Sequence, residues 1–267
     1  MQEHRALNSI LAPGGITPMY QPICAVDGTL PPQLAGFECL SRGPIGTNFE
    51  AANVLFDYVR LKREESLVDR ACVSAALTRA PRQENIRLSV NVHASTLGRD
   101  RDFVPFFIAA ADNNDIPLNR LTIEIVEHAP PWDNVSFLTA LAKLRENGVK
   151  IALDDVGLGQ SNFKMMIDVC PDYLKIDRYF IERCDTDPNR RAVIEALRSL
   201  ASRFGAQLVA EGVSTAEMVE TLRSLGVSLM QGYLFAKPLT AEDAARYAVA
   251  SDQRAARPIM SPLDITV

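Results

Sequence analysis

From about residue 17 onward, short runs of β-branched and other apolar residues alternate with stretches whose apolar positions recur at helical spacing. The strand candidates are Met19–Val26, Gly36–Ser41, Arg87–Val92, Leu121–Val126, Lys150–Leu153, Tyr173–Ile176, Gln207–Ala210 and Leu229–Phe235. Between them, Val193, Ile194, Leu197, Leu200 and Phe204 mark one helical stripe. Asp187-Pro188 opens it as an N-cap followed by proline at the first helical position, and Gly205 closes it. Ser214-Thr-Ala-Glu217 has capping-box spacing and starts a helix that stops at Gly226. A third helix is expected from about Trp132 to Asn147-Gly148, with Phe137, Leu138, Leu141 and Leu144 inside. Eight strands with intervening helices over roughly 230 residues predict an α/β chain folded as a (β/α)8 TIM-like barrel. A doubly wound open sheet is the competitor, but neither GxGxxG nor GxxxxGK follows any strand. The barrel is expected over residues 17–250, with residues 1–16 as an N-terminal extension and 251–267 as a C-terminal tail, both weakly patterned.

Composition narrows the function classes. Of 267 residues, 47% are hydrophobic and 23% charged, enough for a sizeable core and contrary to wholesale disorder. A formal net charge of −5 argues against a binder of polymeric nucleic acid or of an anionic membrane surface. No apolar run approaches the ~18–20 residues of a membrane span. The opening Met1-Gln-Glu-His-Arg5 has no secretory apolar region, so a cytoplasmic location is expected. Five widely spaced cysteines without a CxxC read as reduced thiols. Three scattered histidines, His4, His93 and His128, do not build a histidine-rich metal site, so any metal rests on oxygen ligands.

The informative residues end the strands: Glu38, Asn91, Glu124, Asp154 with Asp155, Lys175, Glu211 and Gln231. Active sites of β/α barrels lie at the carboxyl ends of the strands, so seven strands aim polar side chains at one place. Taken singly, each has an ordinary reading. Asn91 could cap a helix, Asp177 reads as a cap after its strand, and Lys175 would reach for solvent unless a carboxylate pairs with it. Seven at successive strand ends point to function. So many carboxylates repel one another unless cations neutralise them, and oxygen ligands without His or Cys select Mg²⁺ or Mn²⁺ over zinc. The adjacent pair suggests two ions, with Asp154 shared and Asp155 on one, a pattern suited to activating water for phosphoryl displacement.

At these residues the sequence resembles the EAL family of cyclic di-GMP phosphodiesterases over about residues 18–247. The matching segments are Tyr20-Gln-Pro22, Glu38-Cys-Leu40 with Arg42, Ser89-Val-Asn91, Glu124-Ile-Val-Glu127, Asp154-Asp-Val-Gly157, Leu174-Lys-Ile-Asp177, Ala210-Glu-Gly-Val213 and Gln231-Gly-Tyr-Leu-Phe-Ala-Lys-Pro238. The resemblance implies a modified barrel that hydrolyses cyclic di-GMP to the linear dinucleotide with two Mg²⁺ or Mn²⁺ ions. Glu38, Asn91, Glu124 and Asp154 would hold the first ion, and Asp154, Asp155 and Glu211 the second. Lys175 would position or help deprotonate the attacking water, with Glu211 and Gln231 supporting it. Gln21, Leu40 and Arg42 would contact the nucleotide, and Glu127 would anchor the loop after Asp155 that couples dimerisation to metal binding. A homodimer is expected on the face carrying Phe163, Met165, Met166 and Ile167. Only about 16 residues precede the barrel, so no built-in sensor is expected. Two departures stand out: Cys39 replaces the family's alanine, and the loop Asp155-Val-Gly-Leu-Gly-Gln-Ser-Asn162 lacks the family's aromatic residues. A catalytically silent receptor for cyclic di-GMP is the alternative. An enolase-type barrel with a lysine base fits Asp154-Asp155 and Asn91 less well.

Overall fold

The computed structural model of the chain describes residues 2–26, 32–126, 134–157 and 162–255. In chain order, α1 (Gln2–Leu11), β1 (Thr17–Ala25) and β2 (Gln33–Arg42) lead into the helices α2 (Ala52–Lys62) and α3 (Glu65–Thr78). There follow β3 (Arg87–His93), α4 (Ala94–Arg99), α5 (Phe103–Asp112), β4 (Leu121–Val126), α6 (Asn134–Glu146), β5 (Lys150–Val156) and α7 (Asn162–Val169). The remainder holds β6 (Tyr173–Ile176), α8 (Arg178–Ile181), α9 (Pro188–Phe204), β7 (Gln207–Ala210), α10 (Ala216–Ser224), β8 (Leu229–Gln231) and α11 (Ala241–Ala255).

The strands close into one barrel in chain order. From β2 to β8 neighbours are parallel, but β1 runs antiparallel to both β2 and β8. The connection from Ala25 to Gln33 is too short for a helical crossover, which takes a dozen or more residues, so the first two strands pair as a hairpin. This is the modification of the expected (β/α)8 barrel. Strand residues alternate between two buried faces. Leu88, Val90 and Val92 of β3 join Ile123 and Ile125 of β4 in the main core with Leu77, Phe103 and Phe107. Ser89, Thr122 and Glu124 are buried on the other face, and a cavity of about 150 Å³ lined by Gly36, Ser89, Thr122, Ala152, Tyr173 and Lys175 occupies the barrel interior.

Local signals match α9 at both ends, while the expected start of the third helix at Trp132 lies outside the described residues. The Asp187 carboxylate accepts from the Asn189 amide at 2.9 Å, Pro188 is the first residue of α9, and Gly205 ends it at φ 71°. Thr215, not Ser214, caps α10 and accepts from the Met218 amide at 3.3 Å. On α6, Phe137, Leu141 and Leu144 are buried while Leu138 faces solvent. The last strand is shorter than its apolar run, ending at Gln231. A Cβ on Gly232 would lie 2.0 Å from the Val213 carbonyl oxygen, so the chain turns away against that backbone.

Helices α1 and α11 flank the barrel strands in sequence and both pack against the body of the chain. Ile10 and Ile16 pack with Leu55, Val59, Val68 and Cys72, so α1 gains its stability from α2 and α3. Ser251, on α11, accepts from the Leu34 amide at 3.1 Å, and Tyr247 lies edge-on to Phe37 with centroids 6.3 Å apart. None of the five cysteines, all among the described residues, forms a disulfide. No helix among the described residues is long and apolar enough to cross a membrane.

Candidate active site

Glu38 on β2, Asn91 on β3, Glu124 on β4, Asp154 and Asp155 on β5, Lys175 on β6, Glu211 just after β7 and Gln231 on β8 meet at one end of the barrel. Lys175 is the hub and is 2% exposed. Its Nζ lies 2.6 Å from Glu211 Oε1, 3.1 Å from Glu38 Oε2 and 3.5 Å from Asp154 Oδ1, and donates to Glu124 Oε1. Asn91 Nδ2 donates to Glu38 Oε1 at 2.9 Å. Gln231 Nε2 donates to Glu38 Oε2 at 2.7 Å and to Gln21 Oε1 at 3.0 Å. Gln21 and Glu38 are direct cross-strand partners in the β1–β2 hairpin, so the antiparallel strand carries its amide into the site.

Neighbouring residues of a regular strand point to opposite faces, which would separate Asp154 from Asp155. The β5–β6 register shifts between Leu153 and Val156, and Asp155 takes φ 49° in the left-handed region. For a residue with a Cβ that conformation costs on the order of 1 kcal/mol or more. It brings oxygens of Asp154, Asp155 and Glu211 within 4.8 Å of one another, and those of Glu38, Glu124 and Glu211 form a second such group.

A family model for the EAL domain matches residues 4–238. The chain belongs to the EAL domain family. It is 30% identical over 249 residues to the probable cyclic di-GMP phosphodiesterase PdeG of Escherichia coli (strain K12), an alignment covering 88% of this chain and 46% of that protein. The chain therefore spans less than half the length of that relative. Among solved structures, an EAL domain protein from Listeria monocytogenes superposes with a TM-score of 0.78 at 25% identity, covering 92% of this chain and 98% of that one. A standalone EAL protein from Vibrio cholerae O395, in a c-di-GMP-bound form, gives 0.74 at 26% identity over 85% and 93% of the two chains.

The electrostatics of this EAL domain show the cost of crowding carboxylates. Burial, with the charges of Glu38, Asp154 and Glu211, raises the Glu124 carboxyl well above its ordinary range despite Lys175. Glu211 is pushed up to about 8 by burial and by Asp154 and Glu38, again against Lys175. Asp155 rises to about 6 through burial, then Asp154 and Asp177. Burial also works against an ionised Glu38, but Lys175 and the Asn91 and Gln231 amides outweigh it and hold Glu38 below the usual range. Lys175 is desolvated too, yet the surrounding carboxylates raise its pKa well above that of a free lysine. One lysine does not neutralise five carboxylates. Glu124 Oε2 and Asp154 Oδ1 are buried without a hydrogen bond, the latter 3.5 Å from Lys175 Nζ, and an oxygen-binding divalent cation would coordinate them instead. The donor set thus fits hard divalent ions, with Glu211 common to both carboxylate groups.

Two cavities meet at Glu38, Leu40 and Asp154. One, of about 460 Å³, adds Gln21, Glu211, Gln231 and Tyr233; the other, of about 220 Å³, adds Arg42, Asn91, Phe56 and Arg60. Arg42 therefore faces a different lobe from Gln21. Arg178 lines the larger lobe and was not marked by the sequence reading, although it directly follows Asp177 at the end of β6. Asp177 is a cap, as read: its carboxylate accepts from the Tyr179 amide at 2.6 Å. Glu127 and residues 158–161 of the loop after Asp155 lie outside the described residues.

Proposed function

We propose that this chain is a metal-dependent phosphodiesterase that hydrolyses one phosphodiester bond of cyclic di-GMP to give linear pGpG. The observation that carries the reading is the convergence of five carboxylates, Asn91, Lys175 and Gln231 at the barrel mouth, with buried oxygens left without hydrogen bonds. The likeness to PdeG, a probable cyclic di-GMP phosphodiesterase, and to the c-di-GMP-bound Vibrio cholerae EAL protein supports the substrate class. Glu38, Asn91, Glu124 and Asp154 would hold one Mg²⁺ or Mn²⁺, and Asp154, Asp155 and Glu211 a second. When bound, such ions acidify a water molecule and neutralise the phosphate in an in-line displacement.

The chain's own groups do the positioning. Lys175, kept protonated by its carboxylates, would orient the attacking water, a role that draws on one of the three N–H groups now directed at Glu38, Glu124 and Glu211. Gln231 steadies Glu38 through its amide nitrogen, and its buried, unpartnered Oε1 is left to accept from that water. Arg42 offers charge-assisted hydrogen bonds to a phosphate, while Gln21 and Leu40 bound the nucleotide. Glu127 would anchor the loop after Asp155. A homodimer fits the outer face of α7, where Phe163 and Ile167 are 68% and 65% exposed while Met165 and Met166 are buried. A silent receptor would be expected to lack a ligand, and every ligand is present.

The test is incubation of the purified protein with cyclic di-GMP and Mg²⁺, with chromatographic separation of the products. Linear dinucleotide is expected from the wild type and none from a folded Glu38→Ala variant. Binding without turnover by the wild type would overturn the enzymatic reading in favour of the receptor. Light scattering at micromolar concentration checks the dimer, and a fully active monomer would defeat it.

A further inference from the structure

The interface between α3 and β3 includes the apolar side chains of Val73, Leu77, Val90 and Val92, and α3 also buries the carboxylates of Glu65 and Asp69. Asp69, on α3, is 1% exposed. Its Oδ2 accepts from the His93 amide at 2.9 Å and from Thr96 Oγ1 at 2.6 Å, and its Oδ1 lies 2.9 Å from His93 Nδ1. A carboxylate is costly to bury unless donors meet both its oxygens, and here they do. These partners all belong to the turn from β3 into α4. That helix starts without a capping side chain of its own, His93 being the N-cap residue, so Asp69 serves the turn from another helix.

Asn91 stands two residues before His93. Its amide nitrogen is committed to Glu38, which leaves its carbonyl oxygen for an ion. We infer that Asp69 is a positioning residue for the site: by clamping His93 and Thr96 it fixes the end of β3, and with it the direction of Asn91. The inference rests on the reading of Asn91 as an ion ligand. Partners bonded directly to an ion ligand change metal affinity by about 10–100-fold when removed, and Asp69, which bonds to His93 and Thr96 and reaches Asn91 only through the backbone, belongs at the low end of that range or below it.

The test compares Asp69→Asn and Thr96→Val with Asp100→Asn. The last breaks the Arg70–Asp100 pair, whose two contacts of 2.8 and 2.7 Å anchor the same helix α3 to the far end of α4. Mn²⁺ is titrated calorimetrically into each chelator-stripped protein, with melting temperature recorded alongside. Asp69→Asn should weaken Mn²⁺ binding by up to about tenfold, the low end of the range for direct partners of a ligand. Thr96→Val, which removes one donor at constant volume, should weaken it by a smaller factor, on the order of threefold. Asp100→Asn should lower the melting temperature while leaving Mn²⁺ affinity within about twofold of wild type. Mn²⁺ affinity unchanged in Asp69→Asn, or in Thr96→Val should the first variant not fold, overturns the inference. So does an equal loss in Asp100→Asn, which would make the effect general destabilisation. Metal binding is read without substrate, so a wild type that binds Mn²⁺ but does not cleave cyclic di-GMP would defeat the proposed function and leave this test intact.

Discussion

Replacing Glu211 by glutamine should make the ion-free protein less sensitive to rising pH. In the folded chain Glu211 is pushed from 4.5 to about 8, chiefly by burial and by the charges of Asp154 and Glu38. Between those values the fold keeps a proton that the unfolded chain has lost, so stability falls as pH rises from about 4.5 to about 8 and is level beyond. A rise of that size corresponds to a ceiling of about 5 kcal/mol. At about 2 °C per kcal/mol for a chain of this size, that is up to about 10 °C in melting temperature. Glu124 adds to the same slope, whereas Glu38, held below its ordinary range, titrates beneath this window. A glutamine side chain keeps the shape and cannot ionise, so Glu211→Gln should melt several degrees above wild type at pH 8 and near it at pH 5. The assay is calorimetry of chelator-treated protein at pH 5, 6.5 and 8, repeated with saturating Mg²⁺, which should restore wild type most at pH 8. Parallel melting curves for the two proteins across this range would refute the account of crowded, uncompensated carboxylates.

Three further outcomes follow from single residues. Arg42→Ala should raise KM about tenfold or more while kcat stays within about threefold, because a charge-assisted hydrogen bond to phosphate is worth roughly 1.5–3 kcal/mol; steady-state kinetics decide this. Asp187→Ala should cost about 1 kcal/mol in chemical denaturation, the usual value of an N-cap whose carboxylate accepts a backbone amide. Gly232→Ala should cost about 3 kcal/mol or more, since its Cβ would collide with the Val213 backbone, which unlike a flexible side chain does not yield.

Helix boundaries were legible because capping is local chemistry: Asp187, Pro188 and Gly205 act on amides and carbonyls a few residues away. The convergence of these polar residues was legible for a related reason. A barrel strand carries alternate residues to one face, so polar residues ending apolar runs are committed to its mouth wherever the strands close. The antiparallel β1, the early end of β8 and the ordering of α1 were not legible. Each depends on a distant partner: β1 lies between β2 and β8, Gly232 meets Val213, and Ile10 meets Leu55 and Val59. The same holds within the site. That Asp154 and Asp155 face one place depends on a register slip and a left-handed Asp155, and that Lys175 stands among four carboxylates depends on barrel closure. Nothing local marks Asp69 or Arg178, because a carboxylate on an outer helix and an arginine after a strand acquire meaning only from what they face across the fold. Residue type and short-range spacing set which groups were available to the chemistry. Packing between segments far apart in the chain set their distances, burial and charge state, because desolvation and Coulomb energy depend on separation in space and not along the sequence.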